Sequence, residues 1–125
     1  MSNSLAFVFP GQGSQAVGML GKLAPESPVV RATFDSASKV LGYDLWSLCQ
    51  NGPAEQLNST EKTQPAMLAA GIATLRLWQE RGGAAPSVVT GHSLGEFTAL
   101  VAASAIGFEE CIDLVRFREI GRAHV

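Results

Sequence analysis

Apolar residues fall into two short continuous runs and several stripes with helical spacing. The runs Leu5–Phe9 and Ser87–Thr90 are short and end at glycine-containing turns, which predicts two buried β-strands. Between them, Pro28–Leu41 carries apolar side chains at spacings near three and four, which predicts an amphipathic helix. Its predicted buried face consists of Val30, Phe34, Ala37 and Leu41.

The strongest helical signal lies between residues 63 and 81. Thr63 is a suitable N-cap, Pro65 suits the first turn, and Gly82–Gly83 would stop the helix after Arg81. Further helical segments are predicted at Asp44–Gln50, Pro53–Leu57, Leu94–Ser104 and Phe108–Arg118. The main elements follow the order β–α–α–β–α–α, which indicates an α/β layer with a parallel sheet.

The predicted amount of strand is small for this class. Parallel sheets usually have several strands with helices on both faces, and a sheet of two strands is marginal in water. We therefore expect an incomplete α/β sheet, as in the N-terminal portion of a larger domain.

Composition narrows the possible functions. The 125 residues are 46% hydrophobic and 16% charged, as in a globular domain, and a net charge of −2 without a basic face argues against nucleic acid as a partner. The beginning lacks the basic region of a signal peptide, and the longest weakly polar stretch, Thr98–Phe108, is too short to span a bilayer. Cys49 and Cys111 lack metal-type spacing, so we expect reduced core thiols, a cytoplasmic protein and no bound metal.

The segment VTGHSLGEF, residues 89–97, contains a candidate nucleophile. Its pattern Gly91-x-Ser93-x-Gly95 follows a predicted strand and precedes a predicted helix, which is the context of a nucleophile elbow. The alternative is a chance GxSxG in a loop. The flanking strand and helix favour the nucleophile, with Ser93 close to N–H groups that could hold an oxyanion.

A second motif, FPGQGSQ, leaves the first predicted strand. Gly11, Gly13 and Ala16 formally fit the dinucleotide pattern G-x-G-x-x-A, but Pro10 interrupts the junction and no second strand carries the required acidic residue. We favour a glycine loop that faces the elbow. The backbone N–H groups of Gln12 and Leu94 would then form an oxyanion hole.

The motifs FVFPGQGSQ, YDLW, GPAEQLNSTEKTQPA and GHSLGE, in this order, resemble the malonyl-CoA:acyl carrier protein transacylases and the related acyltransferase domains of polyketide synthases. The resemblance covers residues 5–118. It implies an α/β-hydrolase-like large subdomain with an inserted ferredoxin-like subdomain. It also implies transfer of malonyl from CoA to serine and then to the phosphopantetheine thiol of acyl carrier protein, in fatty acid biosynthesis.

The resemblance assigns roles to individual residues. Ser93 is the acylated nucleophile, and Gln12 and Leu94 supply the oxyanion-hole N–H groups. Gly11 and Gly13 belong to the substrate-binding loop. The resemblance implies no cofactor, with CoA and acyl carrier protein as partners, and members that are usually monomeric.

Two further residues match the family but have ordinary alternatives. His92 matches a histidine beside the serine, and we expect a supporting role because adjacent residues on an elbow point apart. Arg118 matches the arginine that binds the malonyl carboxylate, for which a bidentate guanidinium is well suited. Without the resemblance, a solvated arginine near a helix end would be the preferred interpretation.

The family's general base is a histidine well downstream of the elbow. The chain has two histidines, His92 and His124, and neither matches that base. The resemblance stops after Arg118, and residues 119–125, EIGRAHV, match the translation of a common sequencing adapter. We therefore expect residues 1–118 to be the N-terminal portion of the large subdomain and residues 119–125 to be a non-native tail.

The residues alone leave two alternatives to the transacylase open. One is a serine esterase of the α/β-hydrolase type, against which Arg118 and the FPGQGSQ loop argue. The other is a non-catalytic truncated product, because a serine without its base loses several orders of magnitude in rate.

Overall fold

The computed structural model describes residues 5–11 and 13–116 of the chain. Strand β1 (Ala6–Phe9) pairs with strand β2 (Val88–Gly91) in parallel, and the register runs from Ala6 opposite Val88 to Phe9 opposite Gly91. The predicted parallel pairing and the α/β class are confirmed. Each strand is four residues long, which is at the short end of the usual range.

The part of the chain that the structure describes also contains six α-helices. They are α1 (Pro28–Leu41), α2 (Leu45–Asn51), α3 (Ala54–Leu57), α4 (Thr60–Glu80), α5 (Leu94–Ala102) and α6 (Phe108–Arg116), and a 3₁₀ turn at Ala24–Glu26 precedes α1. All the predicted helical segments are present; α1 has the predicted bounds, and the other helices differ from the prediction at one or both ends. The predicted continuation of the last helix to Arg118 lies outside the described residues.

Helix α1 forms as its sequence predicts. The Ser27 hydroxyl caps its start by accepting the Val29 N–H at 3.2 Å, and Gly42 ends it in the left-handed conformation, with φ of 83°. Three members of the predicted apolar face, Val30, Phe34 and Ala37, are fully buried. Leu41, at the end of the helix, is partly buried against the same core.

The predicted start of the long helix is wrong. Helix α4 begins at Thr60 with Ser59 as its N-cap, so Pro65 lies in the second turn instead of the first. Thr63 does not cap the helix, because its hydroxyl donates to the carbonyls of Leu57 and Ser59, which precede it in the chain. The sequence leaves the start ambiguous, since serine and threonine at several neighbouring positions are all suitable caps.

Helix α4 is the element against which most of the other helices pack. It contacts α1, α5 and α6, and its buried side chains include several alanines. A Cβ atom at Gly71 would lie 2.8 Å from Thr98 Cγ2 and 3.2 Å from Phe9 Cδ1. The small side chains of α4 therefore let β1 and α5 approach its axis closely.

One face of the sheet is covered and the other is open. On the covered face, Phe9 is buried against Leu75 of α4 and Ala99 of α5. On the opposite face, Val8 is 70% exposed and Val88 is 57% exposed. Because parallel sheets are normally buried on both faces, this sheet is incomplete in the way the sequence predicts. No described helix is long and apolar enough to cross a lipid bilayer.

Two leucine substitutions on helices distinguish the core from the surface. Leu68 is fully buried in α4, whereas Leu114 in α6 is 51% exposed. We expect Leu68→Ala to lower the free energy of unfolding by about 2–5 kcal/mol through the cavity it leaves, and Leu114→Ala by less than about 1 kcal/mol. Urea denaturation followed by circular dichroism measures both values. Equal losses in the two variants would contradict this description of the core.

Candidate active site

Ser93 occupies the sharp turn between β2 and α5. Strand β2 ends at Gly91, helix α5 begins at Leu94, and Ser93 is the N-cap with φ of 58° and ψ of −115°. A positive φ at a residue with a side chain costs about 1–3 kcal/mol and persists only where the surrounding structure enforces it. The predicted strand–serine–helix turn is therefore present, with the backbone strain that such an elbow requires.

The two glycines of the motif are required by backbone packing. A Cβ atom at Gly91 would overlap the backbone of Gly95, and a Cβ atom at Gly95 would overlap the carbonyl oxygen of Phe9. The same Phe9 carbonyl accepts the N–H of His92 at 3.2 Å. The elbow thus packs directly against the end of β1, and only glycine fits at positions 91 and 95.

The glycine loop after β1 reaches the elbow, as predicted. A Cβ atom at Gly11 would lie 2.6 Å from the His92 carbonyl oxygen and 3.4 Å from Ser93 Cβ. Gly13 is exposed with φ of 110°, and its N–H donates to the side-chain oxygen of Gln15 at 2.7 Å. Gln12, which lies between these glycines in the chain, is outside the described residues.

Leu94, one of the two predicted oxyanion donors, lies at the start of α5. Leu94 is the first residue of the helix, and its side chain is fully buried. The first N–H groups of a helix have no carbonyl partner within that helix, and they carry partial positive charge. The Leu94 N–H, directly after Ser93, therefore has the chemistry that an oxyanion needs.

Two predicted residues remain, of which the structure describes one. His92 is exposed on the elbow, whereas Arg118 lies outside the described residues. Arg116, two positions earlier in the chain, makes structural contacts. It donates to the Val40 carbonyl at 3.0 Å and forms a salt bridge with Asp113 at 2.6 Å.

Similarity to known proteins identifies the family. Residues 6–122 match the family model described as the acyl transferase domain. The chain belongs to the acyl transferase domain family. It is 58% identical over 113 residues to the malonyl CoA-acyl carrier protein transacylase of Escherichia coli strain K12, and 44% identical over 116 residues to that of Bacillus subtilis strain 168.

Solved structures of acyl transferases have the same fold over this region. The acyl carrier protein S-malonyltransferase of Vibrio cholerae O1 biovar eltor matches 93% of this chain with a TM-score of 0.91 and 58% identity. A malonyl-transacylase in complex with a type II PKS acyl-carrier protein matches equally well, with a TM-score of 0.91 and 59% identity. The chain spans 37% of the E. coli relative and 38% of each of these two structures.

A cavity that the sequence does not predict lies beside the glycine loop of this acyl transferase chain. Its volume is about 410 Å³, and its walls are β1, Pro10, Ser14, Met19, Leu20 and the part of α4 from Met67 to Leu75. The wall residues form two groups, within 6–20 and within 67–75, that lie tens of positions apart in sequence. Only the packing of β1 on α4 brings them together, so no local pattern could reveal the cavity.

The two cysteines lie in the core. Cys49 and Cys111 are both buried free thiols, as predicted. Burial raises the pKa of Cys49 from 9.0 to about 12 and that of Cys111 to about 11. Both thiols are therefore protonated at neutral pH. Separately, the described residues contain no cluster of three metal-binding side chains.

Replacement of a motif glycine tests the backbone packing at the elbow. We expect Gly95→Ala to lower the free energy of unfolding by about 1–3 kcal/mol, because its methyl group overlaps the rigid Phe9 carbonyl. Gly107→Ala is the matched control, since its methyl group would meet only the flexible Glu110 side chain at 3.3 Å. Urea denaturation compares the two, and a Gly95→Ala variant as stable as the control would contradict the packing.

The thiols give a prediction that depends on pH. At pH 8 we expect native protein to react slowly with a thiol reagent and unfolded protein to react at both cysteines. Since the folded pKa values lie above the unfolded ones, the folded state holds these protons more tightly. The resulting stability is complete below about pH 9 and falls as the pH rises toward 11–12. Rapid labelling of native protein at pH 8 would contradict the burial of these groups.

Proposed function

We propose that Ser93 is the acylated nucleophile of a malonyl-CoA:acyl carrier protein transacylase. The observation that carries the proposal is the strained Ser93 backbone, enforced by Gly91 and Gly95 and followed directly by the first N–H of α5. The closely similar malonyl transacylases support malonyl as the acyl group and acyl carrier protein as the acceptor. The activity belongs to the whole protein, because this chain spans 37% of the E. coli relative.

The proposed reaction has two acyl transfers. Ser93 Oγ attacks the thioester carbonyl of malonyl-CoA, the ester bond forms, the C–S bond breaks, and CoA leaves as the thiol with the serine proton. The phosphopantetheine thiol of acyl carrier protein then attacks the ester carbonyl. A thioester C–S bond forms, the ester C–O bond to Ser93 breaks, and the proton of the thiol returns to Ser93 Oγ. Each tetrahedral intermediate carries an oxyanion, which the Leu94 N–H and the Gln12 N–H would stabilise.

Other residues supply binding and support in this proposal. Arg118 binds the malonyl carboxylate through a bidentate ion pair, which an uncharged acyl group could not form. Gly11 and Gly13 let the loop backbone approach the acyl group without side chains in the way. His92 supports the elbow from its exposed side. The general base is assigned to the part of the family domain that has no counterpart in this chain.

We also propose the cofactor requirement, localisation and partners of the protein. We expect no cofactor, since acyl transfer between thiols through serine needs neither a redox group nor a metal. We expect a cytoplasmic, monomeric protein whose partners are CoA and acyl carrier protein. Residues 119–125 are proposed not to contribute to the site.

A chimera provides the test. It joins residues 1–118 of this chain to the remaining part of the E. coli relative, so that this chain supplies the elbow. We expect the chimera to transfer malonyl from malonyl-CoA to acyl carrier protein, and to gain the mass of one malonyl group when acceptor is absent. Ser93→Ala should remove the acyl adduct and lower kcat by at least about 10³-fold.

Ser104→Ala is the matched control, since Ser104 also has a positive φ but is exposed beyond the C-terminal end of α5. We expect it to retain the activity of the chimera. Release of malonate to water at the same rate with and without acyl carrier protein would favour the esterase instead. An adduct that persists in Ser93→Ala would overturn the assignment of the nucleophile.

A further inference from the structure

The side chain of Gln15 bridges two parts of the molecule through both ends of its amide. Its Oε1 accepts the N–H of Gly13 at 2.7 Å, and its Nε2 donates to Oδ1 of Asn58 at 2.8 Å. The second bond joins residues 43 positions apart in the chain. The glycine loop is therefore connected to the turn between α3 and α4 by one side chain.

The turn that holds Asn58 is well anchored. Its N–H donates to the Ala54 carbonyl at 2.8 Å, and the preceding Leu57 is buried in the core. The fully buried Thr63 also donates its hydroxyl to the carbonyls of Leu57 and Ser59. Asn58 thus projects from a turn fixed on both sides, so it is a rigid point of attachment for a surface loop.

The loop at the other end of this bridge lies against the elbow. Gly11 sits so close to the elbow that a Cβ atom there would be 2.6 Å from the His92 carbonyl and 3.4 Å from Ser93 Cβ. The loop also closes a weak turn, with the Ser14 N–H at 3.4 Å from the Gly11 carbonyl oxygen. Glycines at positions 11 and 13 cost backbone entropy to order, so the loop needs an outside restraint to hold a single conformation.

We propose that Gln15 and Asn58 are positioning residues that hold the glycine loop against Ser93 during acyl transfer. Neither side chain has to touch the acyl group. Gln15 fixes the loop through the Gly13 N–H, and Asn58 fixes Gln15. The inference rests on the proposed acyl transfer at Ser93. It adds two residues, one of them in a distant turn, whose loss loosens the loop without removing any reacting group.

The test uses the chimera and separates kcat from KM. We expect Gln15→Ala to lower kcat by about 10–100-fold, because small misplacements at a reacting centre cost up to about 10²-fold. KM for malonyl-CoA should change by less than about threefold, since the substitution removes no group that contacts the substrate. Asn58→Ala should lower kcat less, by about 3–10-fold, because Gln15 can still accept the Gly13 N–H.

Conservative and double variants distinguish positioning from general destabilisation. Asn58→Asp should recover most of the kcat lost in Asn58→Ala, because a carboxylate oxygen can still accept the Gln15 amide. The double variant Gln15→Ala/Asn58→Ala should be no worse than Gln15→Ala alone, since Asn58 acts through Gln15. Asn51→Ala removes another exposed asparagine bond, to Ser47 on α2 at 3.3 Å, and should retain the kcat of the chimera.

The outcomes separate the two proposals. An inactive parent chimera, or one insensitive to Ser93→Ala, would mean that the proposed function fails. An active, Ser93-dependent chimera in which Gln15→Ala keeps the parent kcat would overturn only the positioning role. Additive losses in the double variant, or a loss in Asn58→Asp as large as in Asn58→Ala, would also overturn it.

Discussion

The packing of Gly95 against the Phe9 carbonyl is the contact on which the candidate site depends. It places the first turn of α5 directly on the end of β1, with no room for a Cβ atom between them. The chain between β2 and α5 must then turn within two residues, which forces Ser93 to a positive φ. Backbone strain at the serine is thus a consequence of close packing between two elements, and the stability of that packing offsets its cost.

Helix α4 makes this close packing possible. Because Gly71 has no side chain, Phe9 and Thr98 both pack closely against it. One helix therefore supports β1 and α5 together. Larger side chains there would separate the strand from the helix and widen the elbow. The sequence of small residues in α4 therefore contributes to the site, although α4 supplies no reacting group.

The two faces of the sheet differ in how well the described elements cover them. The helical side of the molecule has a continuous buried core, whereas Val8 and Val88 remain largely exposed on the other side of the sheet. A chain that spans 37% of its E. coli relative has the elbow and one covered face.

The sequence by itself determined the class of the fold, the two strands, the helical segments and the elbow. These features have local causes: apolar periodicity, capping residues and a GxSxG pattern between a strand and a helix. The start of α4 was mispredicted, because several neighbouring residues can serve as its cap. The sequence also predicted a glycine loop that faces the elbow. Only the tertiary structure decided the cavity beside β1 and the bridge from Gln15 to Asn58. Each of these joins residues far apart in the chain, and such contacts depend on how elements pack, which no local pattern encodes.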